Sequence, residues 1–111
     1  MKKLIAIAAL MCGTAHAEYF TGNDIHKWSE ESASNNISWG MMYGYIVGAY
    51  DATAGISHCT PQSVRLQQVV DMVRNHVAAN PATRHFTGDV ITAWVLKQTW
   101  PCPKKSGGTA L

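Results

Sequence analysis

Apolar residues recur at helical spacing along nearly the whole chain, and no segment shows the strict apolar-polar alternation of a half-buried strand. The spacing predicts four helices. The first opens near TGNDIHKWSEES, with Thr21 or Asn23 placed to cap orphan amides, Asp24 near the positive end of the helix dipole, and Ile25 and Trp28 facing inward. ASNN is a connection of turn formers, after which a strongly apolar helix runs from about Ile37 to Ala54 and ends at Gly55. The third takes Thr60 as N-cap and Pro61 as its first residue, buries Leu66, Val69, Val70, Val73 and Val77, and stops at Asn80 before Pro81. A short NPATRH turn leads to Thr87, the cap of a fourth helix. Its predicted buried face is Val90, Ile91, Trp94 and Val95, with Ala93 beside it, up to Trp100 and Pro101. The fold class is therefore all-α, a small bundle of four to five helices.

Within the second helix Gly40, Gly44, Gly48 and Ala52 fall four apart and share one face. Each glycine costs about 1 kcal/mol of helix propensity against alanine, so the stripe calls for something pressed against it. The expectation is close packing on the third and fourth helices, with Trp39, Met42, Tyr43, Ile46, Val47 and Tyr50 filling space on other faces. The alternative is a flat, glycine-floored surface that receives a partner, including a second copy of the chain. A membrane span is long enough to fit here, but Asn36, Ser38 and Asp51 argue against it.

The opening MKKLIAIAALMCGTAHA changes the charge picture. Two lysines, an apolar run and Ala15-His16-Ala17 follow the three-part plan of a cleavable signal peptide over residues 1–17. Met11 before Cys12 lacks the small residue that a lipoprotein signal requires. Residues 18–103 then form one helical domain and 104–111, KKSGGTAL, a disordered tail. Losing Lys2 and Lys3 takes the precursor's net charge of +2 to zero, with the remaining basic residues scattered, so nucleic acid is not the expected partner.

Cleavage also removes Cys12 and leaves Cys59 and Cys102 in an oxidising compartment, where disulfides persist. A short turn makes the third and fourth helices antiparallel, which brings the start of one beside the end of the other. Those are the two cysteine positions, so a bridge would clamp the open end of the hairpin. Two separate thiols are the alternative.

Catalytic patterns are weak. His58 and Cys59 are consecutive, which rarely lets two side chains meet, and His26, His76 and His85 have no metal-ligand spacing. Glu30-Glu31 reads as a solvated face, and no glycine-rich phosphate loop follows a strand. The expectation is a protein that is not an enzyme and uses no cofactor or metal.

TGNDI, GYIVGAYDA, CTPQ, NPATRH and WPC occur in that order over residues 21 to 103. In this series the chain resembles the Rap/Tai-type immunity proteins of type VI secretion systems. The resemblance implies a small periplasmic helical protein, often a homodimer, that binds and inhibits a peptidoglycan amidase effector and so protects the producing cell. It matches Cys59 and Cys102 to the family's disulfide positions, and Gly44, Tyr45, Gly48, Asp51 and Ala52 to its central helical motif. Where many members carry a second cysteine pair linking the first two helices, this chain has Trp28 and Met42, whose apolar contact could hold the same helices. A periplasmic chaperone or stress-binding protein is the alternative function. Because recognition residues commonly sit on loops, the candidate partner contacts are Ile56, Ser57 and His58, and Arg84, His85 and Phe86 at the hairpin turn. For Arg84 the alternative is a cap on the preceding helix.

Overall fold

The computed structural model describes residues 19–104. The signal peptide expected over 1–17 and nearly all of the expected tail lie outside the described residues. The described chain folds as four α-helices with one 3₁₀ turn: α1 (Gly22–Glu31), α2 (Asn36–Thr53), α3 (Leu66–Ala79), the turn Pro81–Thr83, and α4 (Gly88–Thr99). The all-α expectation holds, and among the described residues strand-like pairing is confined to two isolated bridges.

Local chemistry fixes most helix ends. Asp24, in the first turn of α1, accepts from the Thr21 amide at 2.8 Å and the Thr21 hydroxyl at 3.3 Å, which makes Thr21 the cap. Asn35 caps α2 by accepting from the amides of Ile37 and Ser38 at 3.0 and 3.3 Å. The buried Ser38 donates to Glu31 at 2.6 Å and ties the end of α1 to the start of α2, so Glu31 is not the merely solvated carboxylate expected.

The third helix starts later than its sequence predicts, at Leu66 with Arg65 as N-cap. The Thr60 hydroxyl is already engaged with His58 Nδ1 at 2.8 Å and cannot cap a helix, and Pro61 to Val64 close a separate turn. Residues Val69, Val70, Val73 and Val77 are buried as expected, whereas Leu66 is exposed. The end at Asn80 matches.

One core is shared by all four helices: Ile25, Met42, Ile46, the four valines of α3, Ile91, Val95 and Leu96. α4 presents a different face from the predicted one. Ile91, Thr92, Val95 and Leu96 are buried while Val90 and Trp94 point outward. The helix can turn this way because Thr92 satisfies its hydroxyl on the Gly88 carbonyl at 2.8 Å, which lets a polar residue enter the core.

The glycine stripe is the larger correction. α2 turns Ser38, Met42, Ile46 and Ala49 to the core, which leaves Gly40, Gly44, Gly48 and Ala52 exposed. A Cβ added to any of these three glycines would meet nothing within 4 Å. The glycines that do allow close packing are Gly22 and Gly88. A Cβ on Gly22 would lie 2.6 Å from Ile91 Cδ1 and 2.9 Å from the Arg84 carbonyl oxygen; one on Gly88 would lie 2.5 Å from Tyr45 Cε1. Here the starts of α1 and α4 cross, joined by backbone hydrogen bonds from Gly22 to Phe86, Asn23 to Arg84, and Gly88 to Phe20.

Trp28 packs at the edge of the core, but its ring neighbours are Phe20 at 4.9 Å and Tyr45 at 6.3 Å. An aromatic trio, rather than a Trp28–Met42 pair alone, braces the first two helices.

Candidate functional site

Between α2 and α3 the chain makes a tight loop around residues 54–59. Gly55 takes a φ of +76°, in the left-handed region that glycine enters without a Cβ clash, and turns the chain sharply out of α2. The amides of Ile56 and Ser57 both donate to the Thr53 carbonyl at 3.0 Å, and the Gly55 amide donates to the His58 carbonyl at 2.8 Å. His58 is fully buried. Its Nδ1 faces the Thr60 hydroxyl, and its Nε2 lies 3.1 Å from the Thr53 hydroxyl and 3.3 Å from the Tyr50 carbonyl. The expected contact residue His58 is therefore an internal peg rather than a surface group.

The next residue, Cys59, is bonded to Cys102, closing the open end of the α3–α4 hairpin as the topology predicts. Its amide also donates to the Trp100 carbonyl at 2.9 Å. Peg, bridge and turn together hold Ile56 at the tip with 80% of its surface exposed. Ser57 sits half-buried beside it.

The other three candidates stand at the opposite end of the hairpin and have different roles. Arg84 donates from Nε to the Val77 carbonyl at 2.6 Å and from Nη2 to the Ala78 carbonyl at 3.0 Å. It caps the last turn of α3, so its guanidinium serves the fold. His85 and Phe86 are exposed, with ring centroids 4.5 Å apart. Phe86 opens a groove along α3 and α4 that also contains Val90 and Trp94, neither of which was expected at the surface. Their spacing of four on α4 marks a shared face; what the sequence does not reveal is that the face points outward.

Where α2 meets the start of α4, Tyr19, Gly44, Tyr45, Gly48 and Asp89 surround a shallow hollow of about 390 Å³. The Tyr45 hydroxyl accepts from the Asp89 amide at 3.1 Å and reaches the Phe20 carbonyl at 3.4 Å. Burial, reinforced by the Asp89 charge, pushes the Tyr45 hydroxyl above its usual range, so the ring acts as a neutral hydrogen-bonding post. Beyond the hollow, Ile37 and Met41 stay exposed alongside the bare stripe.

Among the described residues, no group of three His, Cys, Asp or Glu side chains stands together to hold a metal ion, and no helix is long and apolar enough to cross a membrane. The His58–Cys59 pair offers no free thiolate, because Cys59 is in the bridge. What the surface does offer is shape: a rigid apolar tip, an apolar groove and a glycine-floored face.

A search of the curated proteins matches no relative. The family model for Rap1a immunity proteins matches residues 21–102, from the cap of α1 to the second cysteine of the bridge. That span takes in the whole helical fold, the pinned loop and the hairpin, and the chain belongs to the Rap1a immunity protein family.

Proposed function

We propose that this chain is exported through its N-terminal signal to the periplasm and there binds and inhibits a peptidoglycan amidase delivered by type VI secretion. It thereby protects the producing cell from its siblings' toxin. Inhibition is stoichiometric and the protein contributes no chemistry of its own.

The observation that carries this reading is the Ile56 loop. Ile56 is 80% exposed at the tip of this loop, on a backbone fixed by a left-handed glycine, a buried histidine and a disulfide. A tip already rigid before binding loses little conformational entropy when it enters a cleft, which is the condition for tight inhibition over a small area. Ile56 and Ser57 are the proposed effector contacts.

The open face of α2 supports a second element of the proposal, a homodimer. A helix this rich in apolar residues normally buries most of its surface, yet here Ile37, Gly40, Met41, Gly44, Gly48 and Ala52 lie bare, with Asp51 the one charged residue of α2 beside them. A second copy of α2 crossing over the glycines would cover that face.

Expressing candidate amidases in the periplasm, with and without this protein, tests the function. Rescue from lysis and a purified complex lacking amidase activity are expected. If no neighbouring amidase is neutralised, the assignment fails.

A further inference from the structure

The groove on the outer side of α3 and α4 runs the length of the hairpin in two lobes, of about 320 and 550 Å³. The smaller lobe is a cleft at the lower end of the size range of small-molecule sites, roughly 300–1,000 Å³, and the larger is a shallow, open continuation of it. His76 and Trp94 belong to both lobes, and their rings lie 5.3 Å apart between them. No aspartate, glutamate, lysine or arginine lines either lobe. Burial pushes the His76 imidazole below its usual range and favours its neutral form. The groove therefore offers no counter-charge to an ionic ligand and suits an uncharged one.

Trp94 is 51% exposed, and two uncommitted amides stand with it in the larger lobe. Gln98 follows Trp94 by one turn on α4, and Asn75 precedes His76 on α3. Neither side chain has a hydrogen-bond partner among the described residues, whereas Asn80, in the smaller lobe, is already bound to the His76 carbonyl at 2.9 Å. An apolar protein segment laid over the larger lobe would bury both amides unsatisfied, a loss of about tenfold or more in affinity for each.

A ligand is needed that is flat and apolar on one side and rich in neutral donors and acceptors at its edge. We infer that this groove binds an uncharged saccharide of N-acetylhexosamine units, with a pyranose face on the Trp94 indole and the acetamide paired to Asn75 and Gln98. The C–H bonds on one face of a pyranose meet the electron-rich face of an indole, and an acetamide offers one donor and one acceptor to side-chain amides that carry both. Phe86 and Val90 extend the apolar floor toward the next unit. The proposal is independent of the effector and of the Ile56 loop.

Titrating the full chain with N-acetylated chitotetraose, followed by NMR of indole and side-chain amide protons, tests it. Saturable shifts are expected at Trp94 Nε1–H and at the Asn75 and Gln98 amides. Trp94→Ala should lower affinity about tenfold in a protein that stays folded, and Asn75→Ala with Gln98→Ala should do so by a similar factor at unchanged melting temperature. Trp94→Phe, which keeps a ring face, should retain part of the binding. Absence of these shifts at millimolar ligand overturns the proposal, as does equal binding of maltotetraose, which lacks acetamides. It is equally overturned if the groove ignores the sugar while Trp94→Ala weakens a purified effector complex, because the occupant is then a protein.

Discussion

Gly88 lies directly beneath Tyr45, so close that a methyl group on it would come within 2.5 Å of the Tyr45 ring and 2.9 Å of Ile25 Cδ1. The same ring anchors the α4 start through the Asp89 amide and stacks edge-on with Phe20 at 5.7 Å. α1, α2 and α4 therefore meet at one point with no spare volume. Gly88→Ala should destabilise the protein by about 1–3 kcal/mol through overpacking, measured by urea unfolding. Tyr45→Phe, which keeps the ring and removes one hydrogen-bonding oxygen, should lose only about 1 kcal/mol.

The glycines of α2 should respond in the opposite direction. Gly44 and Gly48 are in an exposed helix interior with open space where a Cβ would go. Alanine at either position should stabilise the monomer by about 0.5–1 kcal/mol, because nothing opposes its better helix propensity. The measurement is chemical denaturation at low protein concentration, since a partner copy on this face would make stability depend on concentration. Gly48→Leu should abolish the proposed dimer in sedimentation equilibrium while leaving the monomer folded.

These two responses locate what the sequence could reveal. Helix number, the disulfide and the hairpin topology were legible, because valine spacing in α3, proline at residue 81 and the cysteine placement all act locally. Rotation of a helix about its axis was not. α2 carries apolar residues on every side, so periodicity could not say which stripe faces the core, and on α4 the close approach that needs Gly88, under Tyr45, joins residues 43 apart in sequence, while Val90 and Trp94 face outward. Gly22 and Gly88 carried the close approach but stand singly, without the repeat that drew attention to α2. In the site, the loop position of Ile56 was legible, while the burial of His58 depended on Thr53 and Tyr50 in the preceding helix.

Reducing the Cys59–Cys102 bridge releases a loop of 43 residues in the unfolded chain. By chain entropy its loss should cost about 4 kcal/mol, comparable with the whole stability of a small domain. The melting temperature should fall steeply in reducing agent, and Cys59→Ala with Cys102→Ala should reproduce the effect. A melting temperature indifferent to reductant contradicts this account of the hairpin clamp.

Ile56 and His58, two residues apart, should separate recognition from stability. Ile56→Asp alters only exposed surface and should leave the melting temperature within about 2–4 °C, given that surface changes usually fall within about 0.5 kcal/mol. Neutralisation of the effector should drop sharply. His58→Ala empties a fully buried site and removes the imidazole partner of the Thr60 hydroxyl, while Thr53 still donates to the Ala49 carbonyl at 2.8 Å, so a loss of about 2–4 kcal/mol in urea unfolding is expected, most of it from the emptied volume.

His76 gives the protein a pH response that can be isolated by difference. Its half-buried ring lies against Trp94 and near the Asn80 amide, with no carboxylate among these neighbours, and burial lowers its folded-state pKa below the ordinary 6.5. The unfolded chain therefore binds this proton more readily than the folded one. Stability contributed by the neutral ring is fully present above pH 6.5 and is lost as pH falls through the lower folded-state value. Stability should decline on acidification below that point, and His76→Gln, which keeps a neutral polar side chain, should flatten this part of the profile. Parallel unfolding curves for the two proteins between neutral and mildly acidic pH would show that burial does not depress the His76 pKa.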